Sequence, residues 1–294
     1  MQGFLKGMSG MKALGGFIVR VLKGNTARAL LLWAAYAMPN WLIYAYSDKA
    51  YFWLLPKLDS NWAFYRQALW VIQSIETWSK VLWQGYAAIF IFLVIKRGWD
   101  DYAPHFDKPG ARMWVLIGSG ALLGAGSALG SWSFEGLFML SNETQAFAVT
   151  GTVFLSACVY APIAEELFFR LILVNTLKKG KRRPLSPLAW QALLFGISHF
   201  YLDWEGKLWT LIFGAMVGLA FVAFKSVYVP IAIHAASNMA SYAIEKATAS
   251  VTAVPQKLLY NLLVLGTAMF VAATAVYVRD AVIRIKRRKL AAKA

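Results

Sequence analysis

Acidic residues are scarce in this chain: 14 Asp and Glu stand against 30 Lys and Arg in 294 residues, and charge makes up only 15% of it. A soluble globular chain carries about 25%. That deficit, beside 59% hydrophobic residues, excludes an ordinary soluble domain and predicts an all-α polytopic membrane protein. Cysteine is rarer still. Cys158 stands alone, which excludes an intrachain disulfide and any CxxC or zinc-finger spacing. The nine prolines and 22 glycines are scattered, so no low-complexity linker or repeat divides the chain, and one integral membrane domain is the economical reading. A secretory signal is not expected at the start, because the apolar run Ala13 to Val19 is short and hemmed in by Lys12, Arg20 and Lys23. Phe4, Met8, Met11, Ile18 and Leu22 recur at helical spacing among lysines, which predicts an interfacial amphipathic helix over the first 27 residues.

What the chain has in quantity is apolar runs near the 20 residues needed to cross a bilayer. Eight are marked off: Ala29 to Tyr46, Val81 to Ile95, Met113 to Trp132, Ala146 to Leu173, Leu188 to Leu202, Leu208 to Phe224, Val227 to Ile244 and Leu258 to Val278. Tyr51 to Ser79, rich in Trp and Tyr with interspersed charge, suits an interfacial segment. Alternating eight spans from a cytoplasmic N-terminus puts 22 of the 30 basic residues on the cytoplasmic side and seven outside, with Arg170 inside the membrane. Both termini are therefore expected in the cytoplasm. The same distribution removes nucleic acid as a partner, since the formal charge of +16 follows topology and is suited to anionic lipid head groups at the cytoplasmic face.

Against this apolar background a few polar residues are conspicuous. Glu165, Glu166 and Arg170 fall within six residues of one predicted span, where each ionisable group costs at least about 2.5 to 3.5 kcal/mol unless it finds a partner or a wet cavity. On a helix Glu166 and Arg170 share a face, while Glu165 is turned about 100° away. One carboxylate is neutralised by the arginine and the other is left over. Two of the three histidines, His199 and His234, also lie in predicted spans, and Asn238 follows His234 by four residues. At about 1.5 Å per residue, Glu165, His199 and His234 come to about 12 to 20 Å from the cytoplasmic surface. Lipid-facing positions do not tolerate such groups, so an intramembrane polar active site is expected where they meet.

These residues form three ordered motifs. Glu165-Glu166-Leu-Phe-Phe-Arg170 matches EExxxR, Phe195-Gly-Ile-Ser-His199 matches FxxxH, and His234-Ala-Ala-Ser-Asn238 matches HxxxN. Together they resemble the CPBP family of intramembrane proteases, which includes the type II CAAX prenyl endopeptidases and bacterial relatives of the bacteriocin-processing and immunity kind. The resemblance covers about residues 146 to 244. It implies an endopeptidase in which Glu165 and His199 activate a water, His234 and Asn238 polarise the scissile carbonyl and stabilise its oxyanion, and Glu166 with Arg170 forms a supporting pair. Amide hydrolysis needs both a base and oxyanion donors. Phe195 reads as packing for the His199 imidazole or as plain core.

The implied organisation is an N-terminal part, 1–145, with the amphipathic segment and three spans, a catalytic core over 146–245, and a last span with a basic tail over 246–294. The expected partners are the bilayer and a membrane-associated protein or peptide substrate, in a multi-pass protein of the inner (plasma) membrane. No cofactor is expected. The alternative is zinc, for which two histidines and a glutamate are a plausible set, although HExxH is absent. A transporter or a non-catalytic immunity or scaffold protein is the reading from a different class.

Overall fold

A computed structural model describes residues 24–57, 64–138, 154–179, 185–200, 202, 204–248 and 254–291. The expected amphipathic leader, the basic cluster Lys181 to Arg183 and the first part of the fourth predicted span lie outside the described residues. Among the described residues the fold is helical and contains no strand. The long helices are α1 (Asn25–Leu54) and α2 (Tyr65–Arg97), followed by the single turn α3 (Trp99–Tyr102), then α4 (Ala111–Phe138). A composite helix α5 spans 155–178, and α6 (Leu185–Ser198), α7 (Trp204–Phe224), α8 (Tyr228–Thr248) and α9 (Gln256–Ala291) complete the order.

Three of these are long and apolar enough to cross a membrane, Ala111–Phe134, Trp204–Phe224 and Gln256–Arg284. A fourth counts if the pair Val81–Arg97 and Trp99–His105, bent by 95°, is taken as one span. The protein is thus an all-α membrane protein with three or four such helices among the described residues, against eight apolar runs in the sequence. Polar content explains much of the shortfall. α5 carries Glu165, Glu166 and Arg170, and α8 carries His234, Ser237 and Asn238. α6 has only 14 residues, about 21 Å of helix against a hydrocarbon core of about 30 Å.

Two boundaries differ from the sequence expectation. The segment expected to be interfacial is largely helix, because no Pro or Gly interrupts residues 65 to 84 and α2 runs unbroken from Tyr65. The fifth apolar run stops being helix at Ser198, so His199 is the first residue past the end of α6 rather than a residue within it. Irregular backbone at membrane depth is tolerated where protein buries it or a cavity receives it.

Packing follows from small residues and local backbone chemistry. α4 meets α8 and α9 through glycines: a Cβ on Gly124 would lie 1.9 Å from the Ile233 carbonyl oxygen, and one on Gly126 2.7 Å from that of Gly266. Backbones this close are the membrane solution to helix association, where van der Waals contact replaces the hydrophobic drive. In α1, Pro39 has no N–H to give the Ala35 carbonyl. Tyr86 of α2 donates its hydroxyl to that oxygen at 2.6 Å, so the proline helps to dock α1 on α2.

One end of the bundle collects several helix termini. Asn25 donates to the Lys179 carbonyl, Lys179 pairs with Asp101 at 2.6 Å, and the His105 ring bridges the Lys225 carbonyl at 3.0 Å and Asn175 at 3.2 Å. Tyr228 donates to the Phe106 carbonyl at 3.1 Å, while Asp280 of α9 accepts from Arg112 at 2.7 Å and pairs with Arg284 at 2.9 Å. The start of α1, the connection from α2 to α4, the end of α5, the α7–α8 turn and the second half of α9 therefore meet at the same end.

Candidate active site

α5 is the element that sets the geometry. Its turns alternate: π over Leu155–Tyr160, α over Ala161–Glu165, π over Glu166–Val174 and α over Asn175–Lys178. Wide π turns in otherwise α-helical segments concentrate at functional sites. The sequence explains one of them in part. The Ala161 N–H bonds five residues back to the Ser156 carbonyl, and Pro162, next in line, has no N–H. The Ala157 carbonyl is left over, and Asn238 of α8 donates its amide to it at 2.7 Å.

Glu166 is fully buried, and so is Arg170, whose Nε stands 2.9 Å from Glu166 Oε2. That contact is an ion pair off the hydrogen-bond axis, and the two terminal nitrogens of Arg170 find no hydrogen-bond partner among the described residues. The guanidinium lies 4.5 Å over the Phe195 ring instead, a cation–π contact that gains strength in a desolvated site. The other oxygen of Glu166 accepts from His234 Nδ1 at 2.8 Å. Glu165 is the more open carboxylate, its side chain 16% exposed, and its Oε2 lies 3.9 Å from His234 Nε2. His234 thus lies between both glutamates. With Nδ1–H given to Glu166, Nε2 is presented on the Glu165 side.

His199 is fixed by its own helix end. Its Nδ1 lies 2.8 Å from the Phe195 carbonyl, which can only accept, so Nδ1 carries the proton and Nε2 is the basic nitrogen of the neutral ring. The Phe195 ring is 4.7 Å from the His199 ring and 6.0 Å from the His234 ring. It is more than plain core, since the guanidinium and both imidazoles pack around it. Five of the six candidate side chains, Glu165, Glu166, Arg170, His199 and His234, therefore meet each other directly or through Phe195, and Asn238 is held one turn from His234 on the same helix.

Residues that the motifs do not contain complete the surroundings. Tyr36 of α1 stacks on Phe168 at 4.0 Å and meets Phe169 edge-on. Trp33 donates to the hydroxyl of Ser198, next to His199, at 2.9 Å. Gln191, fully buried two turns before His199, donates to the Gly214 carbonyl at 2.8 Å and ties α6 to α7. No sequence signal marks Tyr36 or Trp33 apart from the general aromatic richness of α1. Gln191 carries one, being a polar residue on the 191-195-199 helical face.

The zinc alternative can be tested on the same side chains. Among the described residues no three His, Cys, Asp or Glu side chains stand where one ion could be held. Both oxygens of Glu166 already face Arg170 and His234. The donor set as arranged does not fit a three-ligand zinc centre.

Comparison with known proteins bears on the same stretch. Residues 146–240 match the family model of the type II CAAX prenyl endopeptidases, Rce1-like, and that range contains all three motifs. No curated protein and no solved structure matches the chain. Through residues 146–240, about a third of its length, the chain is similar to the Rce1-like family of type II CAAX prenyl endopeptidases, over the stretch that holds the three motifs.

Proposed function

We propose that the protein is an intramembrane endopeptidase that hydrolyses a peptide bond in a membrane-associated protein or peptide. The observation that carries this is the junction at His234, where a histidine of α8 meets both glutamates of α5 while the His199 ring lies across Phe195. In this reading Glu165, assisted by His199 Nε2, takes a proton from a water whose oxygen attacks the scissile carbonyl. The second amide N–H of Asn238 faces the developing oxyanion, joined by His234 Nε2 when the ring carries a proton on both nitrogens, and Glu165 then hands its proton to the departing amine. Glu166 and Arg170 hold His234 in place. The catalytic core is residues 146–245, flanked by 1–145 and 246–294.

The proposal includes a metal-free mechanism. Purified protein in detergent, offered a fluorogenic prenylated CAAX peptide and a membrane-anchored peptide without the lipid, is expected to cleave at least one of them and to keep that activity after exhaustive chelation. Loss of activity restored by zinc would favour the metalloprotease alternative. Absence of cleavage of any anchored substrate would favour an immunity, scaffold or transport role.

We further propose eight membrane crossings with both termini in the cytoplasm of the inner (plasma) membrane. The gathering of helix ends 25, 97–112, 175–179, 225–228 and 280–284 at one end of the bundle supports this, because charge counting assigns every one of those ends to the cytoplasmic side. Single cysteines placed at Lys179 and Glu205 are expected to label from opposite faces, Lys179 from the cytoplasm. Labelling of both from one side would refute the alternation.

A further inference from the structure

The gathered helix ends enclose a cleft of about 770 Å³. Its wall is basic: Lys108, Lys178 and Lys225 line it together with His105, against a single carboxylate, Asp107. Arg112 also lines it, with its charge committed to Asp280. We propose that this cleft binds the phosphate of an anionic lipid head group and, in doing so, clamps together the ends of the two helices that carry the candidate active site.

The cleft is built rather than incidental. The His105 ring accepts from Asn175 and donates to the Lys225 carbonyl, and the Val227 N–H returns a bond to the His105 carbonyl at 3.3 Å. Asn175 lies nine residues after Glu166, and Lys225 nine before His234. Lys225 itself sits at φ 54°, the left-handed region that glycine occupies freely and side-chain-bearing residues avoid. A helix ending in this conformation ordinarily takes Gly; here the position keeps a cation instead. Lys178 is half-buried against the Phe221 ring. Burial first, and the Lys225 charge second, pull its ammonium below the usual lysine range. Three lysines lining one cleft beside a single carboxylate, Asp107, leave an excess of positive charge that an anion relieves.

The surroundings favour a lipid over a soluble anion. Met113 and Phe224 form an apolar edge to the cleft, and Trp114 and Val115 beside it are exposed on α4, the position at which interfacial aromatics border acyl chains. The head group would lie among the lysines with its chains along α4.

The test uses the full chain in phosphatidylcholine nanodiscs with and without phosphatidylglycerol, reading thermal stability and lipid affinity. Phosphatidylglycerol is expected to raise the melting temperature. The double variant Lys178→Gln/Lys225→Gln is expected to lose that rise, with affinity falling about fivefold for each lysine removed. Lys246→Gln/Lys257→Gln, the same loss of charge at exposed lysines outside the cleft, should keep it. Lys225→Gly separates charge from backbone: it relieves the left-handed strain, so it should be as stable as the parent without anionic lipid, yet respond less to its addition. If both double variants responded like the parent, the cleft would not be the site. If inorganic phosphate alone reproduced the whole rise, the ligand would be a soluble anion and the lipid assignment would fall.

Discussion

Glu165→Gln is expected to leave the protein folded and to remove nearly all hydrolysis. Glutamine keeps the shape and most of the hydrogen-bonding capacity of glutamate but cannot take a proton from water. The structural cost should be small, because Glu165 is the carboxylate with the least to hold: Oε2 reaches His234 Nε2 only at 3.9 Å and makes no hydrogen bond among the described residues. The loss in rate should be at least the 10² to 10⁴ that a general base typically contributes. His199→Ala should behave likewise, and Asn238→Ala should lose about 10² or more through the oxyanion, with some loss of stability because the Ala157 carbonyl is then unsatisfied. Melting temperature in detergent beside cleavage rate decides the matter. A Glu165→Gln protein that unfolds, or that cleaves at the parental rate, would remove Glu165 from the base role.

The contrast between the two glutamates is largely legible in the sequence. A spacing of four puts Glu166 and Arg170 on one face, and the ion pair at 2.9 Å is where that spacing places it, even though the backbone there is π rather than α. The extra width of that turn is not legible, because Pro162 bears on the earlier π turn over Leu155–Tyr160 and no comparable residue marks Glu166–Val174. Nor is the bond from His234 to Glu166, which joins residues 68 apart; periodicity orders residues on one helix and is silent about which helix stands opposite. Depth estimates put His199 and His234 near the same level, but they treat α6 as a full span. The helix is too short for that, and His199 stands at its end with a ring fixed by the Phe195 carbonyl. The support from Tyr36 and Trp33 was out of reach for a different reason. Those residues belong to a helix without any motif, and aromatics there are equally suited to lipid, interface or core.

Arg170→Ala should differ in kind from the variants above. The guanidinium is fully buried, and among the described residues Glu166 is the carboxylate that it pairs with. Removing it strands Glu166 with only the His234 imidazole, a class of change that costs about 3 to 5 kcal/mol. It also removes the cation from the face of Phe195 at 4.5 Å, and Phe195 packs on both His199 and His234. Expression or melting temperature should therefore fall together with activity. The double variant Glu166→Gln/Arg170→Met separates the two effects. With both charges gone the burial penalty is lifted, and replacing a buried pair by groups of similar volume is often neutral or stabilising. Stability is expected to recover while hydrolysis stays low, because a neutral amide in place of the Glu166 carboxylate no longer holds His234 Nδ1 as firmly and the cation is gone from Phe195. Recovery of both would show that the pair serves the fold alone. A stable Arg170→Ala protein would show that the bundle does not depend on the ion pair, and if Glu165→Gln then unfolded the protein, the roles given to Glu165 and Glu166 would have to be exchanged.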